Sequence, residues 1–307
     1  MLLDITKKKS RKDQEKTKKK PRKNQLRCNK NNCKKTGKRR QIKKMKEKLR
    51  NYYIYREILS PIWHKCMGIR VGAKDRRKFN ADMKKYISLY EGGSFELNKQ
   101  NNFKCLADWR AQVGTLGGYF WQDLWAARHI AEKNPSAHYD IGSSVASFIG
   151  HLASFRDNIY LIDVRPLEQT IPGVHFRQAD ATNLAEIEDN SIESLSALCS
   201  LEHFGLGRYS DPIDPEAWRK AMKSIQRVLA PGGFAYISVP IGKEHLVFNA
   251  HRIFYASTIV DTFDELELVE FACETNNQLE IVTDIHKYDH DDNNNGRFGM
   301  FMFKKPL

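Results

Sequence analysis

From residue 135 onward, short apolar runs alternate with longer stretches of helical spacing. β-rich runs fall at 138–141, 159–164, 175–178, 195–201 and 234–239, then at 266–273 and 299–304, which makes seven strands. Helical stretches separate the first from the second and the fourth from the fifth. That alternation builds a parallel sheet covered on both faces, the three-layer α/β arrangement. The best-delimited helix is expected over 214–229: Asp214 caps it, Pro215 suits its first position, and Trp218, Ala221, Met222, Ile225, Val228 and Leu229 form one apolar stripe, with Pro231-Gly232-Gly233 as the stop. A further helix is expected over 256–262. Upstream, 46–134 shows helical spacing near 46–58, 75–90 and 120–133 and no period-two strands, so it reads as a helical cap. Tyr119, Trp121 and Trp125 in its last helix either pack in a core or stack on a ring-shaped ligand. The polar stretch 289–296 reads as a hairpin turn before the last strand, because its flanks are strand-like rather than helical.

In an open parallel sheet a ligand sits beyond the carboxyl ends of the strands. The first strand ends at Asp140-Ile141-Gly142-Ser143-Ser144, where a glycine permits a tight turn and close approach and a serine can cap the following helix. Asp163 ends the second strand, 23 residues after Asp140, the spacing at which a carboxylate meets the hydroxyls of an adenosine ribose. Asp180, before Ala181, ends the third and can accept from an exocyclic adenine amine. His203, after the fourth strand, and His251, after the fifth, are candidate general bases, with a structural histidine as the alternative for each. The loop Gly205-Leu-Gly207-Arg208-Tyr209 allows close backbone approach, and Arg208 suits an anionic acceptor group or an ion pair with Asp211 or Asp214.

The series Asp140-Ile-Gly142-Ser-Ser144, Leu-Ile-Asp163, Ala-Asp180-Ala181-Thr-Asn-Leu, Leu-Glu202-His203 and Arg227-Val-Leu-Ala-Pro-Gly-Gly resembles class I S-adenosylmethionine-dependent methyltransferases in motif order and spacing. More narrowly, 194–215 together with Phe248-Asn249-Ala-His251-Arg252-Ile-Phe254 is similar to a subgroup described as a domain of unknown function and associated with surface-polysaccharide biosynthesis; the resemblance spans about 80–271. It implies a Rossmann-like seven-stranded sheet with its last strand antiparallel, binding S-adenosyl-L-methionine. Asp140, Gly142, Ser143 and Ser144 would then lie near the methionine portion, Asp163 on the ribose, and Asp180 and Ala181 at the adenine. Ser200 to His203 would border the transfer pocket, with Glu202, Arg208, Tyr209, Asn249 and Arg252 toward the acceptor, a sugar hydroxyl of a glycan precursor or another small molecule. Where Ser144 and Ala146 stand, the general methyltransferase pattern has glycines, which leaves room for a non-catalytic binding domain of the same fold.

Charge divides the chain. Of 307 residues, the first 50 carry 23 Lys and Arg against four acids, or +19, so the remainder is −5 within a formal total of +14. Residues 1–45 hold too few large apolar side chains to offset the entropy of ordering and are expected to be a disordered basic tail. Its charge suits a nucleic-acid or anionic-membrane tether, which would make RNA the alternative acceptor, or else a solubilising extension. The remaining chain divides into the cap, 46–134, and the α/β domain, 135–307. No run reaches about 18 apolar residues, no secretory signal pattern opens the chain, and the cysteines look like reduced thiols; cytoplasm is the expected location. Cys28 and Cys33 lack a second pair at zinc-site spacing, so no metal is expected.

Overall fold

A computed structural model describes residues 71–95, 97, 102–111, 113, 114 and 116–307. The expected tail, the helix over 46–58 and the Cys28/Cys33 pair lie outside them. The chain divides into two compact units, at Val113/Gly114. In the first, helix α1 (Ala73–Leu89) begins at a buried carboxylate. Asp75 accepts the Gly72 N–H at 2.8 Å, Trp109 Nε1 at 3.2 Å and Arg110 Nη2 at 2.8 Å, which ties the start of α1 to a 3-10 turn at Asp108–Arg110.

The second unit opens with α2 (Gly118–Lys133). There follow β1 (His138–Ile141), a helical segment α3 whose first turn is wide (Val145–Ile149, then Gly150–Ala153), β2 (Ile159–Asp163), β3 (Val174–Gln178) and β4 (Ile192–Leu198). Next come α4 (Ala217–Val228), β5 (Leu229–Ile241), β6 (His245–Val247), β7 (His251–Ile253), α5 (Ala256–Thr262), β8 (Glu267–Thr275), β9 (Gln278–Ile281) and β10 (Arg297–Lys304). Eight strands form one sheet in the order β3-β2-β1-β4-β5-β10-β8-β9, and β6 and β7 make a separate two-stranded ribbon. Pairing is parallel from β3 through β5, and β10 runs antiparallel to both β5 and β8.

The eighth strand corrects the expected count of seven. Thr275 pairs with Gln278 across Asn276 and Asn277, whose φ angles of +53° and +59° make the mirror-image tight turn that asparagine tolerates. The segment 274–281, between the expected strands 266–273 and 299–304, therefore completes a hairpin with β8. Pro231-Gly232-Gly233 does not stop α4 either. The helix ends at Val228, and the three residues lie inside β5, where a Cβ at Gly233 would meet the carbonyl oxygens of Ala230, Glu193 and Ile192 at 2.8 to 3.0 Å.

Period-two alternation sorts the central strands between two cores. Leu195 and Ala197 of β4, Ala235, Ile237 and Val239 of β5, and Phe301 and Phe303 of β10 face α4 and α5. Leu198, Tyr236, Met300 and Met302 face the other side, against Trp125 and Ile130 of α2 and Phe148 and Leu152 of α3. Full burial of each large side chain contributes about 1.5–3 kcal/mol. The last helix of the expected cap thus belongs to the α/β unit, because its Trp125-Ala126-Ala127 and Ile130 stripe covers one sheet face. No helix among the described residues is long and apolar enough to cross a membrane.

Candidate active site

The carboxyl ends of β1, β2, β3 and β4 open on a common cleft. Gly142 follows β1 with φ of +69°, in the left-handed region that suits glycine, and borders the cleft; a Cβ there would lie 3.1 Å from Ser200 Cβ. The loop is held from beneath by Asp140, which is fully buried. Its Oδ1 accepts the Ser143 N–H at 3.0 Å, and its Oδ2 accepts the hydroxyls of Ser143 at 2.7 Å and Ser196 at 2.5 Å. Burial pushes the Asp140 carboxyl up to about 6 against those bonds. Beyond β4, Cys199 takes φ of +49°, and Ser200 Oγ donates to the Ile141 carbonyl at 2.7 Å, joining the two strand ends.

One part of the cleft, about 350 Å³, is bordered by Gly142, Asp163, Asp180, Ala181, Ser200 and His203. The Asp163 carboxylate faces Arg165: Oδ1 accepts its backbone N–H at 2.8 Å and Nε at 3.0 Å, and Oδ2 accepts Nη2 at 2.6 Å. Asp180 Oδ1 accepts the Thr182 N–H at 2.8 Å in a tight turn. The adjoining part, about 920 Å³, shares Gly142, Asp163, Arg165, Cys199, His203 and Tyr209 and adds Tyr119, Ser144, Glu202, Arg208, His251 and Phe298.

His203 stands where the two parts meet. Its Nδ1–H donates to the Ala250 carbonyl at 2.7 Å, which fixes the tautomer and leaves Nε2 as the basic nitrogen. Burial, with the Arg208 charge also opposing protonation, takes its pKa down to about 4 although the Ala250 bond pulls the other way. Glu202 is almost fully buried, its Oε2 has no hydrogen-bond partner, and burial pushes its carboxyl up to about 8. Burial likewise raises the Cys199 thiol well above its ordinary range. The loop after His203 is shaped by Asp211, which accepts the N–H groups of Gly205 (2.8 Å), Gly207 (3.3 Å) and Tyr209 (3.1 Å). With Asp211 so engaged, and Asp214 holding Lys220 at 2.6 Å, neither pairs with Arg208.

Several residues read from sequence spend their polar groups on the protein itself or stand outside the cleft. Asp140 and the Ser143 hydroxyl are spent on the loop itself, since Ser143 Oγ also accepts the Leu198 N–H at 3.1 Å. Arg252 donates to the carbonyls of Glu202, Phe204 and Pro215, so it braces the loop rather than facing an acceptor. Asn249 is exposed on the ribbon turn and borders neither part of the cleft. His251 borders the larger part but donates Nε2–H to the Asn294 carbonyl at 2.7 Å. Of the aromatics of α2, Trp125 is core and bonds Glu270 at 2.7 Å, whereas Tyr119 reaches the cleft with its ring 4.9 Å from that of Phe298. Sequence reasoning missed Arg165 and Gln122. The first had a local signal two residues after Asp163; the second had none, because its cleft partners, Cys199 just beyond β4 and Ser238 in β5, lie 77 and 116 residues away.

The sequence model of a family described as Caenorhabditis protein of unknown function, DUF268, matches residues 176–304. No curated protein matches the chain. Among solved structures, the chain is similar to the 1,6-didemethyltoxoflavin-N1-methyltransferase of Burkholderia thailandensis, at 14% identity over 75% of this chain and 90% of that one, with a TM-score of 0.45. It is also similar to the N-methyltransferase NodS of Bradyrhizobium japonicum WM9, at 14% identity over 62% and 97%, TM-score 0.43. A third likeness is to the [4+2]-cyclase SpnF, at 15% identity over 70% and 87%, TM-score 0.42.

Proposed function

We propose that the protein transfers a methyl group from S-adenosyl-L-methionine to a small-molecule acceptor such as a sugar hydroxyl of a glycan precursor. The observation that carries this reading is the convergence of Gly142, Asp163 and Asp180, from three neighbouring parallel strand ends, on one hollow that continues past His203 into a second. The residues present fit the cofactor. Gly142 presents bare backbone, Asp163 and Asp180 offer carboxylate oxygens, and Ala181 leaves space beside them. Asp163 would hold the ribose hydroxyls and Asp180 the adenine amine.

When bound, the cofactor supplies an already activated methyl group, so the chain's task is orientation, exclusion of water and removal of one proton. His203 is the side chain placed for the last of these: it is neutral at physiological pH, and its Nε2, with Arg208 Nη1 and Glu202 Oε1 each 3.5 Å away, is the nitrogen that would take the proton of an acceptor hydroxyl. Tyr119 and Phe298 would cover the acceptor end and keep out water. The test is transfer of labelled methyl from S-adenosylmethionine to extract fractions of glycan precursors, RNA, protein and small molecules. Label in the first or last fraction supports the reading; calorimetry showing no binding of S-adenosylhomocysteine rejects it.

A further inference from the structure

Arg165 borders both parts of the cleft, and its bonds set up a competition. An ionised carboxylate has about four acceptor positions. Arg165 fills three of those on Asp163, two through its side chain. A ribose diol needs two, so it fits only if at least one side-chain bond of Arg165 breaks. The guanidinium already lies 4.5 Å from the centre of the Tyr209 ring, and that of Arg208 lies 5.1 Å from the same ring. Arg208 places Nη1 3.0 Å from the Ala250 carbonyl and 3.2 and 3.5 Å from the two His203 ring nitrogens, and it has no carboxylate partner within ion-pair distance among the described residues.

We propose that a ribose diol taken up by Asp163 releases the Arg165 side chain to join Arg208 over Tyr209, completing a subsite for an oxyanion, phosphate or carboxylate, carried by the methyl acceptor. This rests on the methyltransferase reading. Two guanidiniums brought to the same side of one ring would repel each other, and an oxyanion between them would relieve that repulsion while accepting paired hydrogen bonds from each fork. Arg165 then couples the two ends of the cleft, with the nucleoside end making the acceptor end complete.

The test is calorimetry on the full chain, titrating inorganic phosphate, and separately acetate, with and without saturating S-adenosylhomocysteine. The readout is the coupling factor rather than the raw affinity, because cations of the basic N-terminal segment bind anions in either condition. At least a fivefold tightening by S-adenosylhomocysteine is expected, with the same factor in the reverse titration, and the anion that shows it identifies the acceptor group. Arg208→Ala should weaken the coupled anion at least tenfold, and Arg165→Ala should reduce the coupling factor to one. An unchanged anion affinity overturns the subsite alone, as does coupling that persists in Arg165→Ala. Absence of S-adenosylhomocysteine binding overturns the methyltransferase reading, and the coupling falls with it.

Discussion

Glu202 Oε1 stands 3.5 Å from His203 Nε2, and both side chains are enclosed, at 3% and 13% exposure. Burial shifts the two in opposite directions, to about 8 for the acid and about 4 for the imidazole. Between those values the neighbours meet as a neutral acid and a neutral base, not as an ion pair. Separated titrations of this kind mark candidate acid and base positions.

Turnover should therefore rise as pH increases through about 4, where His203 loses its proton, and level off above it. His203→Ala should lower kcat by about 100-fold, a typical general-base contribution, with little change in S-adenosylhomocysteine affinity. Rate profiles and calorimetry check both parts. An unaltered kcat returns His203 to a structural role.

Stability gives an independent readout of Glu202. Its folded-state value is raised, so between about 4.5 and about 8 the folded chain keeps a proton that the unfolded chain releases, and stability falls as pH rises through that window. His203 contributes the opposite slope. Its folded-state value is depressed, so stability falls as pH drops from about 6.5 to about 4. Glu202→Gln should remove the decline between about 4.5 and about 8 and leave the His203 slope, so the variant is more stable than wild type at pH 8.5 relative to pH 5. Thermal melts across pH 4.5–9 measure this.

Asp163→Ala should weaken S-adenosylhomocysteine binding by roughly 10- to 100-fold, the worth of hydrogen bonds to a charged acceptor at about 1.5–3 kcal/mol. The melting temperature should change little, because the carboxylate's bonds run only to the neighbouring Arg165, one to its backbone N–H and two to its side chain, which is 48% exposed. Equal affinities for wild type and variant would place the ribose elsewhere.

Much of this arrangement was legible in the chain and some was not. The run His138-Tyr-Asp-Ile and the helix over 256–262 carry local periodicity, and the structure forms them at those bounds. The ends of β1, β2 and β3 were legible for the same reason, since a strand's last residue is a local property. What escaped was pairing across the chain. Asp140 looked like a ligand because its three partners include Ser196, 56 residues away. Arg252 looked like an acceptor contact because the carbonyls it bonds lie 37 to 50 residues upstream. The Asn276-Asn277 turn was present in the sequence but lay within a polar stretch that hid its short β9 partner.

The Gly205 turn tests whether loop shape or loop chemistry governs the cleft. Gly205 has φ of +75°, and a Cβ there would fall 1.8 Å from the Asp214 carbonyl oxygen, which cannot withdraw because Gly205 and Asp214 are also joined by a backbone hydrogen bond of 3.0 Å. Gly205→Ala should cost roughly 3 kcal/mol, combining left-handed strain of about 1–2 with overpacking of about 1–3. Urea unfolding reads that loss. If stability is unchanged, the loop after His203 has another conformation in solution.

Gln122 joins α2 to the cleft floor. Its Oε1 accepts from Cys199 Sγ at 3.1 Å and Ser238 Oγ at 2.7 Å, and its Nε2 donates to the buried Asp123 at 3.1 Å. Burial already raises the Asp123 carboxyl, opposed by its hydrogen bonds to Ser147 and Gln122. Gln122→Ala would leave the Ser238 hydroxyl and Asp123 short of a partner each, at about 1–3 kcal/mol for a stranded buried group. Gln122→Glu replaces the donor facing Asp123 with a second acid, so it should be the worse of the two at pH 8 and recover toward pH 5, as protonation removes the repulsion between the two carboxylates. Urea titrations of both variants at pH 5 and pH 8 decide the matter: parallel losses at both pH values would mean that the contact between α2 and the strand ends is steric rather than polar.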